Sequence, residues 1–178
     1  LDVLVNNAGI AGPTGRIEDI KVEDWERCIA VDLNSLFYCT RLAMPMIKAA
    51  GGGSIISLSS AAGRLGFPLR SPYAAAKWGV VGFTASLAIE AGQDGVRVNC
   101  IQPGVVAGDR IDRVAAAKAE AFGVTTEEMK QRMVEKVSMR TMVSAQDIAN
   151  MALFLASDAG RHISGQALSV CGNVETLA

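Results

Sequence analysis

Two kinds of apolar run alternate along this chain. Short β-branched runs bounded by small or turn-forming residues, LDVLVNNAG, GGGSIISLSS, VRVNCIQPG and SGQALSV, read as strands. Near-continuous apolarity is what parallel strands covered by helices on both faces require. The longer segments VEDWERCIAVDLNSLFYCTRLAMPMIKAA, SPYAAAKWGVVGFTASLAIEAG and SAQDIANMALFLASDAG read as helices, the first with apolar residues at helical spacing. Acidic residues lead that first segment and Lys48 closes it, as the helix dipole favours. Ser144, with Asp147 three residues on, forms an acidic variant of a capping box. At this spacing Trp25, Phe37, Met44, Met46 and Trp78 are assigned to helix faces buried against the sheet and neighbouring helices. Alternating strand and helix predict an α/β architecture, and with no repeat or dividing linker residues 1–178 form one domain.

The chemistry sits where strands end. GGGSIISLSS delivers Ser60 to the carboxyl end of its strand, where open parallel sheets bind ligands. The connection AAGRLGFPLRSP is long enough to turn back, so the next helix starts beside that strand end. Tyr73 and Lys77, four residues apart, stack on one face of this helix. A phenol is a poor base at neutrality, but a fixed ammonium nearby favours its ionised form, which makes the pair a proton-transfer device for an alcohol or ketone. An isolated pair at this spacing is ordinarily a solvated pair; here a serine hydroxyl can grip the same oxygen.

Four motifs in order, NNAG at 6–9, Ser60, YxxxK at 73–77 and the PG pair at 103–104, resemble the short-chain dehydrogenase/reductase family, and the resemblance runs almost from end to end. It implies a Rossmann-like doubly wound parallel sheet, here its C-terminal part from the fourth strand onward. It further implies an NAD(P)-dependent oxidoreductase interconverting a secondary alcohol and a ketone, with Tyr73 as acid/base, Ser60 orienting the substrate oxygen and Lys77 holding the nicotinamide ribose. By the same resemblance NAD or NADP lies against Asn7, Ala8 and Gly9 on the adenosine side, Tyr73 and Lys77 at the ribose, and Pro103, Gly104 and Val106 at the carboxamide. Asn6 is expected to tie neighbouring strands together. The family's Gly-rich TGxxxGxG turn and second strand have no counterpart, so the chain reads as N-terminally truncated by roughly 80 residues. Gly51, Gly52 and Gly53 precede a strand and cannot replace that loop. The alternative reading is an inactive fragment or assembly module pairing through its long helices. Relatives of this kind imply a dimer or tetramer built on helices equivalent to 23–50 and 72–92.

Three positions depart from the family pattern. Asp32 stands where a catalytic asparagine is usual; Asn34 lies two residues on, about 200° round the helix, and can replace it only across a bulge. Gly108 takes the place of a threonine, and Cys171 that of a frequent aspartate. Between Gly104 and the last helix, residues 108–143 are charged and helix-prone, with a helix start at Thr125 and Thr126; they fit a substrate lid and equally a solvated helical hairpin. Arg110, Arg113, Arg132 and Arg140 fit an anionic substrate and equally fit pairing with nearby Glu and Asp. Val105, Met139 and Met142 suggest a partly apolar pocket.

Composition removes other classes. A net charge of −1 with no basic stripe argues against nucleic acid, and no apolar run is long enough to span a membrane. Cys28, Cys39, Cys100 and Cys171 lack CxxC spacing, and with His162 the single histidine no zinc set can be assembled. Buried reduced thiols in a cytoplasmic protein fit this usage.

Overall fold

In the computed structural model, which describes residues 1–177, four strands form one parallel sheet. They are β1 (Val3–Asn6), β2 (Gly53–Leu58), β3 (Val96–Pro103) and β4 (Ala167–Val170), adjacent in chain order. The register pairs Val3 with Ser54, Ile55 with Val98 and Cys100 with Ala167. Helices cover both faces, so β2 and β3 are apolar on both sides. Ile55 and Val98 pack with Ile47 of α2 (Ser35–Ala49) and Ala91 of α3 (Ser71–Ala91). Ile56 and Ile101 point the other way, onto Leu155 of α6 (Ala145–Ala156). This is the doubly wound α/β arrangement. Asn6 ties it together as expected, its amide donating to Thr40 on α2 at 3.1 Å and to Ser57 on β2 at 3.4 Å. No helix among the described residues is long and apolar enough to cross a membrane.

The first helical segment is broken where the sequence suggests continuity. α1 (Val22–Ile29) passes through a π turn, Ala30–Asn34, before α2 begins. The wider turn buries the Asp32 side chain, and such turns collect at functional sites. The aromatic and methionine positions correct the sequence reading. Met44 packs on the sheet cluster, but Trp25, Phe37, Met46 and Trp78 are exposed, with Met46 at 56%. Periodicity identifies an apolar face, not whether a neighbour covers it. Cys39 likewise is exposed, while Cys28, Cys100 and Cys171 are buried.

Residues 108–143 are helical as expected. α4 (Asp109–Phe122) and α5 (Thr126–Glu135) pack through Ala115, Ala119 and Met129. Thr125 and Glu128 cap α5 reciprocally, and Ser144 and Asp147 do the same for α6. Two isolated bridges, Val106 to Val143 and Val137 to Val174, seat the segment on the strand ends.

Past β2 the chain makes one tight turn, Ala61–Gly63, hard against α3. The Ser59 hydroxyl donates to the Lys77 carbonyl at 2.8 Å. A Cβ on Gly63 would stand 2.3 Å from that hydroxyl oxygen and 2.7 Å from that carbonyl oxygen, so only glycine lets the turn close. Gly63→Ala is therefore expected to cost about 1–3 kcal/mol, read as a lower urea midpoint with unchanged slope. An unchanged midpoint would show that the turn does not need this approach.

Candidate active site

Ser60 is the residue at which β2 turns. Its extended backbone lets Oγ accept from the Ala62 amide at 3.1 Å, and this leaves the O–H proton to donate elsewhere. Across from it α3 begins, with Pro72 in the first turn where a missing N–H does no harm. Tyr73 follows, half-buried, and Lys77 lies one turn further in the interior. The Lys77 ammonium donates to the Leu58 carbonyl at 2.9 Å and stands 5.5 Å from the Tyr73 ring centre. Burial lowers its pKa; the Asp32 carboxylate opposes that fall and Arg110 adds to it.

Asp32 and Asn34 both lie in the π turn. Although the helix does carry a widened turn, it is Asp32 that is buried, and its Oδ1 accepts from the Ile10 amide at 2.7 Å. Its Oδ2 lies 3.7 Å from Cys28 Sγ. Burial first, then Asp32, push the Cys28 thiol up to about 11, so that cysteine is a protonated packing group. Gly9 permits this convergence, since a Cβ there would come within 2.9 Å of Asp32 Oδ1 and 3.5 Å of Lys77 Nζ.

The end of β3 forms the opposite wall. Gly104 donates to the Val170 carbonyl at 3.0 Å and packs so closely on Cys171 that a Cβ would sit 2.7 Å from the Cys171 Cβ. Cys171 is thus spent on packing, where it also accepts from Arg64 at 3.4 Å. The bridge beside Val106 uses the Val105 carbonyl and the Ala107 amide, so the Val106 N–H takes no part in it.

Over this floor lies the start of α4. Gly108, with φ of 132°, begins α4, and Arg110 reaches across to donate to the carbonyls of Gly9 at 3.3 Å and Ile10 at 2.9 Å. Its guanidinium carbon stands 5.8 Å from the Tyr73 ring centre. Arg70, just before α3, stacks 5.1 Å from Phe67 and 5.3 Å from Tyr73 and donates to the Ala11 carbonyl. Sequence reasoning missed Arg70; its one signal is a cation directly before the SPY helix start, which carries no periodic mark. Met139, expected in a substrate pocket, is instead 70% exposed.

The cleft these elements enclose measures about 440 Å³. It is lined by Asn7, Gly9, Ser60, Tyr73, Lys77, Pro103, Gly104 and Val106, while Ala8 is exposed and outside it. The wall fits a nicotinamide dinucleotide: glycines stand where backbone must approach closely, and Lys77 has protons to give beyond the one bonded to Leu58.

Known proteins resemble this chain over most of its length. A family model described as enoyl-(acyl carrier protein) reductase matches residues 1–173. The D-beta-hydroxybutyrate dehydrogenase of Rhizobium meliloti (strain 1021) is 38% identical over 172 residues, covering 96% of this chain and 66% of that protein. The trans-4-hydroxycyclohexanecarboxylate dehydrogenase of Sinomonas cyclohexanicum is 40% identical over 172 residues, covering 97% and 60%. An actinorhodin polyketide ketoreductase solved with NADPH has a TM-score of 0.93 and 32% identity, covering 98% of this chain and 67% of that one. The chain thus spans 60–66% of the length of these curated relatives.

The bond from Ile10 to Asp32 generates a stability test. Asp32→Ala leaves that amide without its acceptor and is expected to cost about 1–3 kcal/mol, whereas Asp32→Asn keeps an acceptor oxygen and costs less. Equal losses in urea melts of the two variants would show that this bond does not hold the loop.

Proposed function

The chain belongs to the short-chain dehydrogenase/reductase family, and on that footing we propose that it interconverts a secondary alcohol and a ketone with NAD or NADP as hydride carrier. The observation that supports this best is the convergence of Ser60, Tyr73 and Lys77 at one wall of a cleft otherwise built from strand ends. The relatives' names point the same way, since they are dehydrogenases of hydroxy compounds and a ketoreductase.

Each residue has a definite task. Ser60 donates its hydroxyl proton to the substrate oxygen and holds it beside the Tyr73 phenol. In reduction Tyr73 gives its proton to that oxygen as the carbonyl carbon becomes a carbinol; in oxidation it takes the hydroxyl proton back. Lys77 supplies positive charge 5.5 Å from the ring, where negative charge develops on the phenol oxygen. When bound, the nicotinamide ring accepts or supplies the hydride. Lys77 also holds the ribose of that group. Asn7 and Gly9 border its adenosine side, with Ala8 shaping the loop from outside the cleft; Pro103, Gly104 and the Val106 N–H border its carboxamide. Asp32 positions the loop that carries Gly9, in place of the amide usual in the family. Residues 108–143 form a lid within a single domain, with Arg110 latching it over the cleft.

Assembly follows from the surface. Phe37, Tyr38, Leu42 and Met46 on α2 and Trp78 and Ile89 on α3 are exposed, Ile89 at 84%, and support association of copies through these two helices. Free cysteines, three of them buried, suit a cytoplasmic protein.

Tyr73→Phe removes the transferable proton and keeps the ring. Turnover of a secondary alcohol panel should fall by at least about 100-fold, while the variant still binds NADH or NADPH. Retained turnover would remove Tyr73 from the mechanism.

A further inference from the structure

One charged side chain in the cleft wall is buried and short of partners. Arg70 is 2% exposed, and although Nη2 donates to the Ala11 carbonyl, its Nε and Nη1 are buried with no hydrogen-bond partner. Burying a guanidinium is costly unless its charge and donors are met, so packing alone does not explain it. Arg110 faces the same phenol ring from the lid, and its own bonds go to neutral carbonyls. With Lys77, three cations stand within 6 Å of the Tyr73 ring centre.

The nearby carboxylates do not balance them. Ion pairs among the described residues join Lys48 to Asp94 and Lys130 to Asp112, and neither involves Arg70 or Arg110. Asp32 spends Oδ1 on the Ile10 amide. Asp109 lines the cleft without pairing with either arginine. The four lid arginines seen in the sequence therefore separate: Arg110 enters the cleft, and its companion there is Arg70.

We propose that Arg70 and Arg110 bind a carboxylate on the substrate, which makes the substrate a short hydroxy or oxo acid. The proposal rests on the oxidoreductase reading for what happens at the carbinol carbon and adds which molecules reach it. The reacting oxygen lies on the Tyr73 phenol, and the guanidinium carbons are 5.3 and 5.8 Å from that ring centre. A carboxylate between them is thus a few bonds from the reacting carbon, and an acid with a remote charge fits poorly. An incoming carboxylate meets the orphaned Arg70 donors with charge-assisted bonds and draws Arg110 from its neutral acceptors.

The test compares 3-oxobutanoate with its neutral counterpart pentane-2,4-dione, by calorimetry, with and without NAD or NADP, on the parent protein and on Arg70→Met, Arg70→Lys and Arg110→Met. The acid should bind at least about tenfold tighter than the dione. Arg70→Met and Arg110→Met should each remove about tenfold or more of the acid's affinity and leave the dione's unchanged, while Arg70→Lys retains part of the preference. No acid binding, equal affinity for the two ligands, or acid affinity unchanged in both methionine variants would overturn the proposal. Should Arg70→Met fail to fold by circular dichroism, Arg110→Met, at an exposed lid position, decides. Turnover separates the two readings. Neutral alcohols oxidised with no preference for acids overturn the carboxylate site alone, whereas acid binding without turnover of any alcohol or ketone overturns the oxidoreductase reading and leaves the site standing.

Discussion

The buried ammonium of Lys77 is the constraint around which the cleft is arranged. It must reach from α3 to the carbonyl that ends β2, so the helix has to begin beside that strand end. The tight turn at Ala61–Gly63 achieves this, with Ser59 bonding to the backbone of Lys77 itself. The same ammonium brings Asp32 inward and with it the loop that follows β1, since Asp32 holds Ile10 and Gly9 leaves room for both groups. Two strand ends are thereby gathered round one charge. Burial lowers the pKa of that charge, and the Leu58 carbonyl and Asp32 carboxylate are what keep it favourable.

Positive charge in excess of local carboxylates gives the cleft its second character. Phenol, ammonium and two guanidiniums within a few ångströms form a poor arrangement for an empty interior, and a good one for developing negative charge and for an anionic ligand. Proteins keep such costly groups where function requires them. Arg110 ties the start of α4 to the loop after β1 through the carbonyls of Gly9 and Ile10, and so joins this charge to both walls of the cleft.

Much of this was readable from residue patterns for identifiable reasons. All four strands are near-continuous apolar runs with turn signals at their ends, and Thr125 and Ser144 announce α5 and α6 through reciprocal capping. Ser60, Tyr73 and Lys77 could be placed together because one strand end and one helical turn fix their spacing. The π turn carries no composition mark of its own, and only the spacing of Asp32 and Asn34 hinted at a bulge between α1 and α2. Trp25, Phe37 and Trp78 are exposed against expectation because an apolar stripe on a helix looks the same whether or not a neighbour covers it. Arg70 was invisible because its significance lies in absent partners, which only three-dimensional packing reveals.

The most direct test of the account is a fluorescence titration of NADH and NADPH into the protein and its Lys77→Met variant. The account predicts saturable binding of at least one nucleotide, weakened by about tenfold or more when the ammonium that reaches the ribose is removed. A folded protein that binds neither, or one whose affinity is the same with methionine at this position, would contradict the claim that the cleft gathered around Lys77 is a dinucleotide site.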